Sequence, residues 1–453
     1  MQRITARLPS GMRDFLPLQM IRRQYVISTI AAVFESFGYE PFQTPVMELK
    51  EVLQGKYGAD AERLIYYAGH PGGEEELALR YDLTVPLARA FAQHENDLRL
   101  PFRRYQIAPV WRGETPQRGR YREFLQCDAD IVGIGTMDAD AEIIGIVDMA
   151  MSRLGFPDYA IKINNRKLLT GIGHYAGLEG DALANLYRSI DKADKIGLEG
   201  VQADLLKQGI SAEVAAKIIA ILKEARPGEL LGIGIGLRKI AALREQLAGY
   251  PSAEEGLADL TTLFELLQTT GAADAVVEFD PSMVRGLSYY TSTICETVLM
   301  SGDSEERVGS VSGGGRYDDL IGLFRKESLP TVGISLGIER LIYLMDKRNL
   351  YPAHLNSTIV QVMVAVFPDT RRESAALAME LRRAGLRVEL YLGGKAKLGD
   401  QFTYAAKKGI PLVALMGSSE LNGGMVKLKN LATKEEMTVS RTECPDEIRR
   451  HIV

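Results

Sequence analysis

Six arginines and no lysine lie between Pro101 and Phe124, in the segment PFRRYQIAPVWRGETPQRGRYREF, together with two glutamates. The guanidinium group is planar and binds phosphate or carboxylate through two parallel hydrogen bonds. A run of charge most often forms a solvated face, but such a face does not need the aromatic residues that are interleaved here. These are Phe102, Tyr105, Trp111, Tyr121 and Phe124. We therefore interpret the segment as a site for a phosphate or a carboxylate.

A second set of polar residues falls within strand-like segments elsewhere in the chain. It comprises Asp82 and Thr84 in RYDLT, Gln126 and Asp130 in QCDAD, and Arg285, Tyr289 and Tyr290 in RGLSYYT. Buried carboxylates need partners, because an unpaired buried charge is costly. Aspartates for an ammonium group, an arginine for a carboxylate and tyrosine hydroxyls for a polar ring together suit a free amino acid. A single strand aspartate more often lies at the surface or in a turn, so the prediction depends on the whole set.

The glycine-rich segment SVSGGGRYDDL, from Ser310 to Leu320, raises the question of a phosphate-binding loop. Consecutive glycines indicate that something approaches the backbone closely. The chain has no GxxxxGK[ST] sequence, and the glycines of GIGIGLRKI, from Gly232 to Ile240, have the wrong spacing for GxGxxG. A P-loop NTPase or a Rossmann dehydrogenase therefore has little support. Arginine side chains would have to supply the positive charge for any bound nucleotide.

The charge of the chain is unevenly distributed. The net charge is −5 over 453 residues, but residues 358–453 contain 15 Lys and Arg against 11 Asp and Glu. No apolar run is long enough to span a bilayer, and the first residues have no signal-peptide pattern. The cysteines, Cys127, Cys295 and Cys444, are far apart and, like the five histidines, show no metal-ligand spacing. We expect a cytoplasmic protein without a zinc site and without a membrane segment.

The elements that must position these residues follow from the periodicity of the sequence. Helical spacing predicts a helix over 14–37, and RYDLT lies where a strand turns into a helix. Alternation on either side of GETPQRGRYR predicts two antiparallel strands within 100–133. Helical periodicity dominates from about 166 to 272, which predicts a helical module inserted into a sheet-based domain. After a linker at 346–357, strands and helices alternate over 358–453, which is typical of a small α/β domain with a mainly parallel sheet.

Five segments, in this order along the chain, resemble the signature motifs of the histidyl-tRNA synthetase family of class II aminoacyl-tRNA synthetases. GYEPFQTPVME is similar to motif 1 of the class, and YQIAPVWRGETPQRGRYREF is similar to motif 2. RGLSYYT and GGGRYDDL are similar to histidine-specific segments of the family, and VGISLGIERL, which contains Arg340, resembles motif 3. A single class motif is loose, whereas five in order over nearly the whole chain are specific.

The resemblance implies an α/β fold with an α+β catalytic domain. A class II synthetase antiparallel sheet flanked by helices would occupy 1–345, interrupted by the helical insertion at 166–272. The linker at 346–357 would lead to a C-terminal α/β anticodon-binding domain over 358–453. Motif 1 implies a homodimer, with Pro45 and its neighbouring helix in the interface.

The same resemblance implies a histidine–tRNA ligase, an enzyme that uses histidine, ATP with Mg²⁺, and tRNA(His). It assigns catalysis to Arg112 and Arg285. The implied histidine-binding residues are Asp82, Leu83, Thr84, Arg112, Gln126, Asp130, Arg285, Tyr289, Tyr290 and Tyr317. The implied ATP-binding residues are Arg112, Glu114, Arg120, Phe124 and Arg340. The glycines of GGGRYDDL would make room for the amino acid and its adenylate rather than cradle a phosphate.

One alternative is a non-catalytic histidine-sensing relative, such as the regulatory subunit of ATP phosphoribosyltransferase. Such relatives usually lack the anticodon-binding domain and some of the ATP-binding arginines, whereas this chain retains both. An unrelated α/β enzyme with an arginine-lined phosphate site would require the five motifs to be a coincidence. The chain departs from the usual motifs at Thr115, Ser288 and Ser292, where relatives often have arginine, aspartate and glycine.

Overall fold

The structure of the chain is a computed structural model. It describes residues 4–54, 62–117, 119–224, 231–270, 276–284, 289–303, 306, 308–353, 355, 357–393 and 397–452. The chain divides into two compact units. The first comprises Met1–Arg13 and Val26–Leu350, and the second comprises Asp14–Tyr25 and Tyr351–Val453.

Helices and strands alternate irregularly in the first unit and regularly in the second. In chain order, the helices of the described residues are α1 (Pro17–Ser36), α2 (Lys50–Leu53), α3 (Thr84–Gln93), α4 (Met137–Arg153), α5 (Arg166–Tyr175), α6 (Asp181–Ile190), α7 (Ala193–Lys207), α8 (Ala212–Glu224), α9 (Ile233–Gln246), α10 (Pro251–Thr270), α11 (Ile338–Arg348), α12 (Arg371–Arg383), α13 (Leu398–Lys408), α14 (Ser418–Asn422) and α15 (Cys444–His451). The strands are β1 (Glu40–Pro41), β2 (Met47–Leu49), β3 (Tyr67–Ala68), β4 (Leu77–Leu79), β5 (Phe102–Trp111), β6 (Glu123–Val132), β7 (Tyr159–Asn165), β8 (Val277–Phe279), β9 (Thr293–Leu299), β10 (Ser312–Arg316), β11 (Thr331–Leu336), β12 (Val362–Val364), β13 (Val388–Leu390), β14 (Leu412–Leu415), β15 (Met425–Asn430) and β16 (Glu436–Ser440).

Eight strands of the first unit form one sheet in the order β1-β5-β6-β11-β10-β9-β7-β8. The end pairs β1–β5 and β7–β8 are parallel, and every pair between them is antiparallel. Helix α4 packs on β6, β10 and β11, α10 packs on α4 and β7, and α9 packs on β8. This is the antiparallel sheet flanked by helices that the sequence predicts.

Strands β5 and β6 form the predicted hairpin. Both are ten residues long, and they pair over their whole length. Every second side chain of β5 is buried, as expected for a strand with one face on a core. Arg104 and Gln106 lie on the buried face, whereas Arg103 lies on the other face and pairs with Glu142 at 2.8 Å.

The glycine-rich segment forms strand β10, which lies between β9 and β11. A Cβ atom on Gly314 would be 2.1 Å from the carbonyl oxygen of Gly333 in β11. A Cβ atom on Gly333 would in turn be 1.9 Å from the carboxylate of Asp130 in β6. Both positions require glycine because a side chain does not fit there. These glycines therefore make room for a neighbouring strand and for a buried carboxylate.

The segment 166–272 is helical, as predicted, with helices α5–α10 in its described part. Buried apolar residues of α6, α7 and α8 belong to one cluster that also contains Met283, Tyr290 and Tyr317. Helices α9 and α10 instead pack on the central sheet, and Phe264 of α10 contacts Phe279 of β8 edge to face at 6.3 Å. The helices thus form two groups, of which α9 and α10 belong to the layer that covers the sheet.

The second unit contains a five-stranded sheet in the order β13-β12-β14-β15-β16. The first three strands are parallel, and the predicted helices α12 and α13 lie in the chain between them. Strands β15 and β16 add an antiparallel hairpin that the sequence did not predict. Only Val426 and Leu428 of β15 are buried, so its apolar alternation is too short to stand out.

Three short strands of the first unit form a separate antiparallel sheet in the order β2-β4-β3. In strand β2 the charged residue is buried, and the apolar residues on either side of it are exposed. Glu48 is 6% exposed and pairs with Arg89 at 2.7 Å, whereas Met47 and Leu49 are 49% and 39% exposed. Tyr67 of β3 is 58% exposed. Met47 and Leu49 share one face of this sheet, the apolar face, and are exposed there, whereas Tyr67 lies in register with Ala78 and Glu48 on the other face.

Candidate active site

Strand β6 places three polar side chains on one face of the main sheet. Period two puts Gln126, Asp128 and Asp130 on the same side of the strand, and all three are buried. Asp130 lies opposite Arg104 of β5, and Asp128 lies opposite Ser335 of β11. The sequence QCDAD therefore builds a polar row in the middle of the sheet.

Arg104, Asp130 and Tyr317 form a buried chain of contacts across this row. The Arg104 guanidinium is 2.7 Å from Asp130 Oδ2, and the Tyr317 hydroxyl donates a hydrogen bond to Oδ1 of the same carboxylate. Burial raises the pKa of Asp130, while Arg104 and the Tyr317 hydrogen bond oppose that rise. Tyr317 follows strand β10 directly, so the glycine-rich strand positions this hydroxyl.

Three tyrosines lie together above the polar row. The Tyr289 ring is 4.9 Å from the Tyr290 ring and 5.7 Å from the Tyr317 ring, measured between centroids. The Tyr289 hydroxyl is hydrogen-bonded to the Thr84 side chain. Burial raises the pKa of Tyr289 and of Tyr317 well above its ordinary value, and nearby carboxylates add to the rise. Both hydroxyls therefore stay protonated near neutral pH and can donate hydrogen bonds.

The start of helix α3 contributes Asp82, Leu83 and Thr84. Asp82 Oδ1 accepts a hydrogen bond from the backbone N–H of Val85 at 3.1 Å, which fixes the carboxylate at the first turn of the helix. Leu83 is fully buried against Val110 and its neighbours, and its carbonyl oxygen accepts a hydrogen bond from Arg104 at 3.3 Å. Leu83 thus lines the site with its backbone, not with its side chain.

Arg112 lies between two aromatic rings at the end of the hairpin. Its Nε donates a hydrogen bond to the carbonyl oxygen of Tyr81 at 3.1 Å. Its guanidinium carbon is 4.5 Å from the Tyr81 ring centroid and 5.2 Å from that of Phe124. Stacking holds the guanidinium plane, and it leaves other N–H groups for an anion.

The loop between β5 and β6 carries a second group of charged residues. Arg120 is 3.2 Å from Glu114, and their side chains are 51% and 22% exposed. Gly119 approaches Arg340, since a Cβ atom at Gly119 would be 3.2 Å from the Arg340 Cγ. Arg340 also donates a hydrogen bond to the carbonyl oxygen of Ser310. The loop and the start of α11 therefore meet on the side of the hairpin where Arg112 lies.

Known proteins resemble this chain over most of its length. A family model described as histidyl-tRNA synthetase matches residues 11–341, and one described as an anticodon binding domain matches residues 361–451. The chain belongs to the histidyl-tRNA synthetase family. It is similar to the histidine–tRNA ligase of Aeropyrum pernix, with 42% identity over 98% of each chain. It is 38% identical to that of Cytophaga hutchinsonii over 96% of this chain and 98% of the relative.

The fold agrees with the same family. The crystal structure of histidyl-tRNA synthetase from Nostoc sp. PCC 7120 matches with a TM-score of 0.86 and 34% identity, over 99% of this chain and 100% of that one. The predicted family, fold class and enzyme class are confirmed. The alternative of a non-catalytic histidine-sensing relative is not favoured, because the matching ligases align over the full length of the chain.

Most residues that the family resemblance implies lie in two contiguous groups. The first is the pocket of buried carboxylates and tyrosines, formed by Asp82, Thr84, Gln126, Asp130, Tyr289, Tyr290 and Tyr317. The second is the arginine group at the hairpin end, formed by Arg112, Glu114, Arg120, Phe124 and Arg340. Arg285 and Ser288 lie outside the described residues.

Sequence reasoning missed three residues of the site. Asp128 lies in the polar row, Arg104 pairs with Asp130, and Tyr81 stacks on Arg112. The alternation of QCDAD was the signal for Asp128, because the middle residue of such a triplet shares a face with the outer two. Nothing in the sequence distinguished Arg104 from the other arginines of its segment before the register of β5 and β6 was known.

Proposed function

We propose that the chain joins histidine to tRNA(His) in two steps at the site described above. A carboxylate oxygen of histidine attacks the α-phosphorus of ATP, the bond to the β-phosphate breaks, and histidyl-adenylate and pyrophosphate form. The hydroxyl of the terminal tRNA ribose then attacks the histidyl carbonyl, and AMP leaves. The observation that carries this proposal is the position of Arg112, stacked at the end of the hairpin whose next strand carries the buried carboxylates.

The pocket of buried carboxylates suits the polar groups of histidine. Asp82 and Asp130 are 2% and 3% exposed, and a buried carboxylate is stabilised by an ammonium group. Thr84 and the three tyrosines supply hydroxyls, and hydrogen bonds from hydroxyls to an imidazole select a polar ring. A pocket that hydrogen-bonds a ring nitrogen rejects an analogue without it by up to roughly 10⁴-fold. These groups therefore give both affinity and selectivity for histidine.

The arginine group suits ATP. Arg112 would hold the α-phosphate, because its guanidinium is fixed by contacts with the Tyr81 and Phe124 rings and by its hydrogen bond to the Tyr81 carbonyl oxygen. Phe124 would stack on the adenine ring opposite Arg340, while Glu114 and Arg120 would engage the rest of the nucleotide. Adenylate formation depends mainly on positioning and on stabilising charge at phosphorus. Arginines held by stacking and hydrogen bonds meet that need.

Arg285 has a role that rests on the family resemblance alone. It would neutralise the charge that develops between the histidine carboxylate and the α-phosphate. We expect Arg285→Ala to fold and to lose adenylate formation, because loss of such a preorganised charge costs about 3 kcal/mol or more. An unchanged rate of pyrophosphate exchange in this variant would exclude the role.

Magnesium would enter the site with the nucleotide. Within the described part of the chain, no three His, Cys, Asp or Glu side chains are grouped so that they could hold a metal ion. Mg²⁺ usually keeps several of its waters and is bound by substrate phosphates together with one or two carboxylates. That mode of binding does not need a group of three protein ligands. When bound, it would neutralise phosphate charge, and the arginines would orient the nucleotide.

The second unit is the proposed site of anticodon recognition. Residues 361–451 match the anticodon binding domain model, and residues 358–453 carry more basic than acidic side chains. Contacts from basic side chains to phosphates release counterions and make affinity depend on salt. We expect binding of tRNA(His) to weaken as the salt concentration rises.

A second copy of the chain is the proposed partner of the small sheet. Met47 and Leu49 are exposed on one face of this sheet although Glu48 between them is buried. Pro45, at the start of this sheet, has its carbonyl oxygen bound by Arg80 at 3.2 Å. Apolar faces of this kind are covered in homodimers, and motif 1 implies a dimer at this position.

The state of the cysteines supports a proposal for the cell compartment. Cys127, Cys295 and Cys444 are all buried and none forms a disulfide in the described structure, which suits a reducing compartment. No helix in the described ranges is both long enough and apolar enough to cross a membrane. We propose a cytoplasmic location, where histidine, ATP and tRNA are available.

ATP–pyrophosphate exchange with each of the twenty amino acids tests the proposed function. We expect exchange with histidine alone, followed by transfer to tRNA(His) but not to other tRNAs. Exchange with another amino acid would refute the assignment of the pocket. A protein that binds histidine but supports no exchange would favour the regulatory relative of ATP phosphoribosyltransferase instead.

A further inference from the structure

Asp128 is a buried carboxylate for which the function proposed above has no role. It lies between Gln126 and Asp130 on the same face of β6 and is 3% exposed. Its register partners are Gln106 in β5 and Ser335 in β11. A carboxylate in the centre of a sheet is costly unless it binds charged or polar groups, so its neighbours indicate what it does.

One polar neighbour of Asp128 is the side-chain amide of Gln126. The Nε2 atom of Gln126 is 3.5 and 3.4 Å from the two carboxylate oxygens of Asp128 and 3.5 Å from Ser335 Oγ. These distances are at the long end of hydrogen bonds, and such contacts tighten when a ligand binds. The Ser335 hydroxyl is also hydrogen-bonded to Asp128. The amide nitrogen of Gln126 thus faces two acceptors that lie on the same side.

The oxygen end of the Gln126 amide has different surroundings from the nitrogen end. Its Oε1 atom is buried and has no hydrogen-bond partner among the residues that the structure describes, and Gln126 as a whole is 9% exposed. A buried amide oxygen without a donor costs free energy. The donor that fits it is a cationic N–H group, because the neighbouring Asp128 carboxylate interacts with two further carboxylates, those of Asp130 and Asp82.

We propose that Asp128 is a positioning residue that fixes the orientation of the Gln126 amide, so that Oε1 is presented to the α-ammonium group of bound histidine. An amide can turn over and exchange its oxygen and nitrogen with little change in shape. The ionised form of the Asp128 carboxyl group removes that freedom, because it accepts from the nitrogen and repels the oxygen. Without Asp128, the amide nitrogen could face the ammonium group and repel it.

This inference rests on the proposed function through the assignment of Gln126 to histidine. The experiment therefore compares Asp128→Ala, Asp128→Asn, Gln126→Ala and the double variant Gln126→Ala/Asp128→Ala in pyrophosphate exchange. It also uses 3-(imidazol-4-yl)propionate, the histidine analogue without the α-amino group, as a competitive inhibitor. The matched control is Asp140→Asn, which removes another buried carboxylate, bonded to Arg316 and outside the site.

We expect Asp128→Ala to raise the KM for histidine roughly tenfold to a hundredfold, the range for a lost hydrogen bond to a charged group. The KM for ATP and the inhibition constant of the analogue should not change, because neither involves the ammonium group. Asp128→Asn should have a smaller effect, because asparagine keeps one carbonyl oxygen for the Gln126 nitrogen. The double variant should have the KM of Gln126→Ala, since Asp128 acts through Gln126.

Three results would overturn the inference. If the KM for histidine of the double variant rose by the product of the two single-variant factors, Asp128 would act independently of Gln126. An equal loss of affinity for the analogue would show a general disturbance of the pocket, and Asp128→Asn tests this even if Asp128→Ala does not fold. An unchanged KM for histidine in Gln126→Ala would remove the assigned role of Gln126 itself, which is a failure of the proposed function and is distinct from the other two.

Discussion

Asp259 of α10 accepts a hydrogen bond from the hydroxyl of Ser292 at 2.9 Å. The same carboxylate oxygen is 3.4 Å from Asn165 Nδ2 and 3.1 Å from Lys167 Nζ, and Asn165 also donates to Ser292 at 3.0 Å. Ser292 comes three residues after Tyr289, a residue of the proposed histidine site. The contact therefore joins a helix that covers the sheet to the segment that carries the pocket tyrosines, at a position where relatives often have glycine.

Removal of the Ser292 hydroxyl should weaken both the fold and histidine binding. Ser292 is 2% exposed and Asn165 is fully buried, so Ser292→Ala removes the shortest hydrogen bond of a buried amide and one donor to Asp259, which keeps its contact with Lys167. We expect a loss of about 1–2 kcal/mol in the free energy of unfolding. The KM for histidine should rise several-fold with little change in the KM for ATP. Urea unfolding and pyrophosphate exchange measure the two effects.

Glu255→Ala is the control for this prediction. Glu255 lies on the same helix and is 3.6 Å from the same Lys167, but its side chain is 67% exposed. Exposed pairs contribute roughly 0–1 kcal/mol, so this variant should resemble the wild type. Equal effects of Ser292→Ala and Glu255→Ala would show that the buried contact has no special role.

Arg112 should be required for adenylate formation. Its stacking between Tyr81 and Phe124 fixes the guanidinium plane, and a lysine would keep the charge but lose the flat donor pair. We expect Arg112→Ala to lower kcat for pyrophosphate exchange by about 10²–10³. Arg112→Lys should also be strongly impaired. Initial rates at saturating histidine and ATP measure this loss.

Arg103→Ala is the control, because it tests whether a loss of kcat is specific to Arg112 or follows the removal of any arginine in this segment. Arg103 belongs to the same segment, but it lies on the other face of β5 and binds Glu142 at 2.8 Å. Its loss should leave kcat unchanged. If Arg103→Ala reduced kcat as much as Arg112→Ala, the functional face of the hairpin would be wrongly assigned.

The comparison between these two arginines also shows how far the sequence alone could predict the site. Composition identified the arginine-rich segment, and alternation identified the two strands of the hairpin. The sequence could not show that Arg104 binds Asp130, because that contact depends on the register between β5 and β6. Register is fixed by the turn and by burial of one face, and both depend on the folded sheet.

The central glycines illustrate the same limit. A run of three glycines indicated a close approach to the backbone, but Gly333, which has no glycine neighbour, is as tightly constrained as Gly314. Its constraint comes from Asp130, which is about 200 residues away in the sequence, so no local pattern could reveal it. In the second unit, the hairpin of β15 and β16 was missed because only two of its apolar residues are buried in β15. Local patterns thus predicted the elements, whereas contacts distant in sequence determined the site.

The stability of the chain should fall with rising pH because of Asp128. Burial, together with the charge of Asp130, raises the pKa of Asp128 from 3.8 to about 7. The charged and titratable groups that interact with it are Arg80, Arg104, Asp82, Asp130 and Tyr289. Because the folded state binds this proton more tightly than the unfolded state, its contribution to stability is present below pH 4 and is lost as the pH rises to about 7.

Asp128→Asn removes this ionisable group and tests the pH dependence. The free energy of unfolding of the variant, minus that of the wild type, should increase between pH 5 and pH 8, because only the wild type loses this stabilising proton over that range. Urea unfolding at several pH values measures the difference. Asp97→Asn is the control, since the Asp97 side chain is 82% exposed. A difference between Asp128→Asn and the wild type that does not vary with pH would contradict the prediction.

Met47→Asp should break the proposed homodimer. Met47 is 49% exposed on the apolar face of the small sheet, and a carboxylate there would be buried without a partner if a second copy covered it. Light scattering coupled to size exclusion should then give the monomer mass for the variant and twice that mass for the wild type. The control is Met300→Asp, which changes another exposed methionine, 54% exposed, in the same unit. Because the two substitutions are chemically identical, dissociation by both would point to a general effect of added charge, whereas dissociation by Met47→Asp alone would locate the interface at β2.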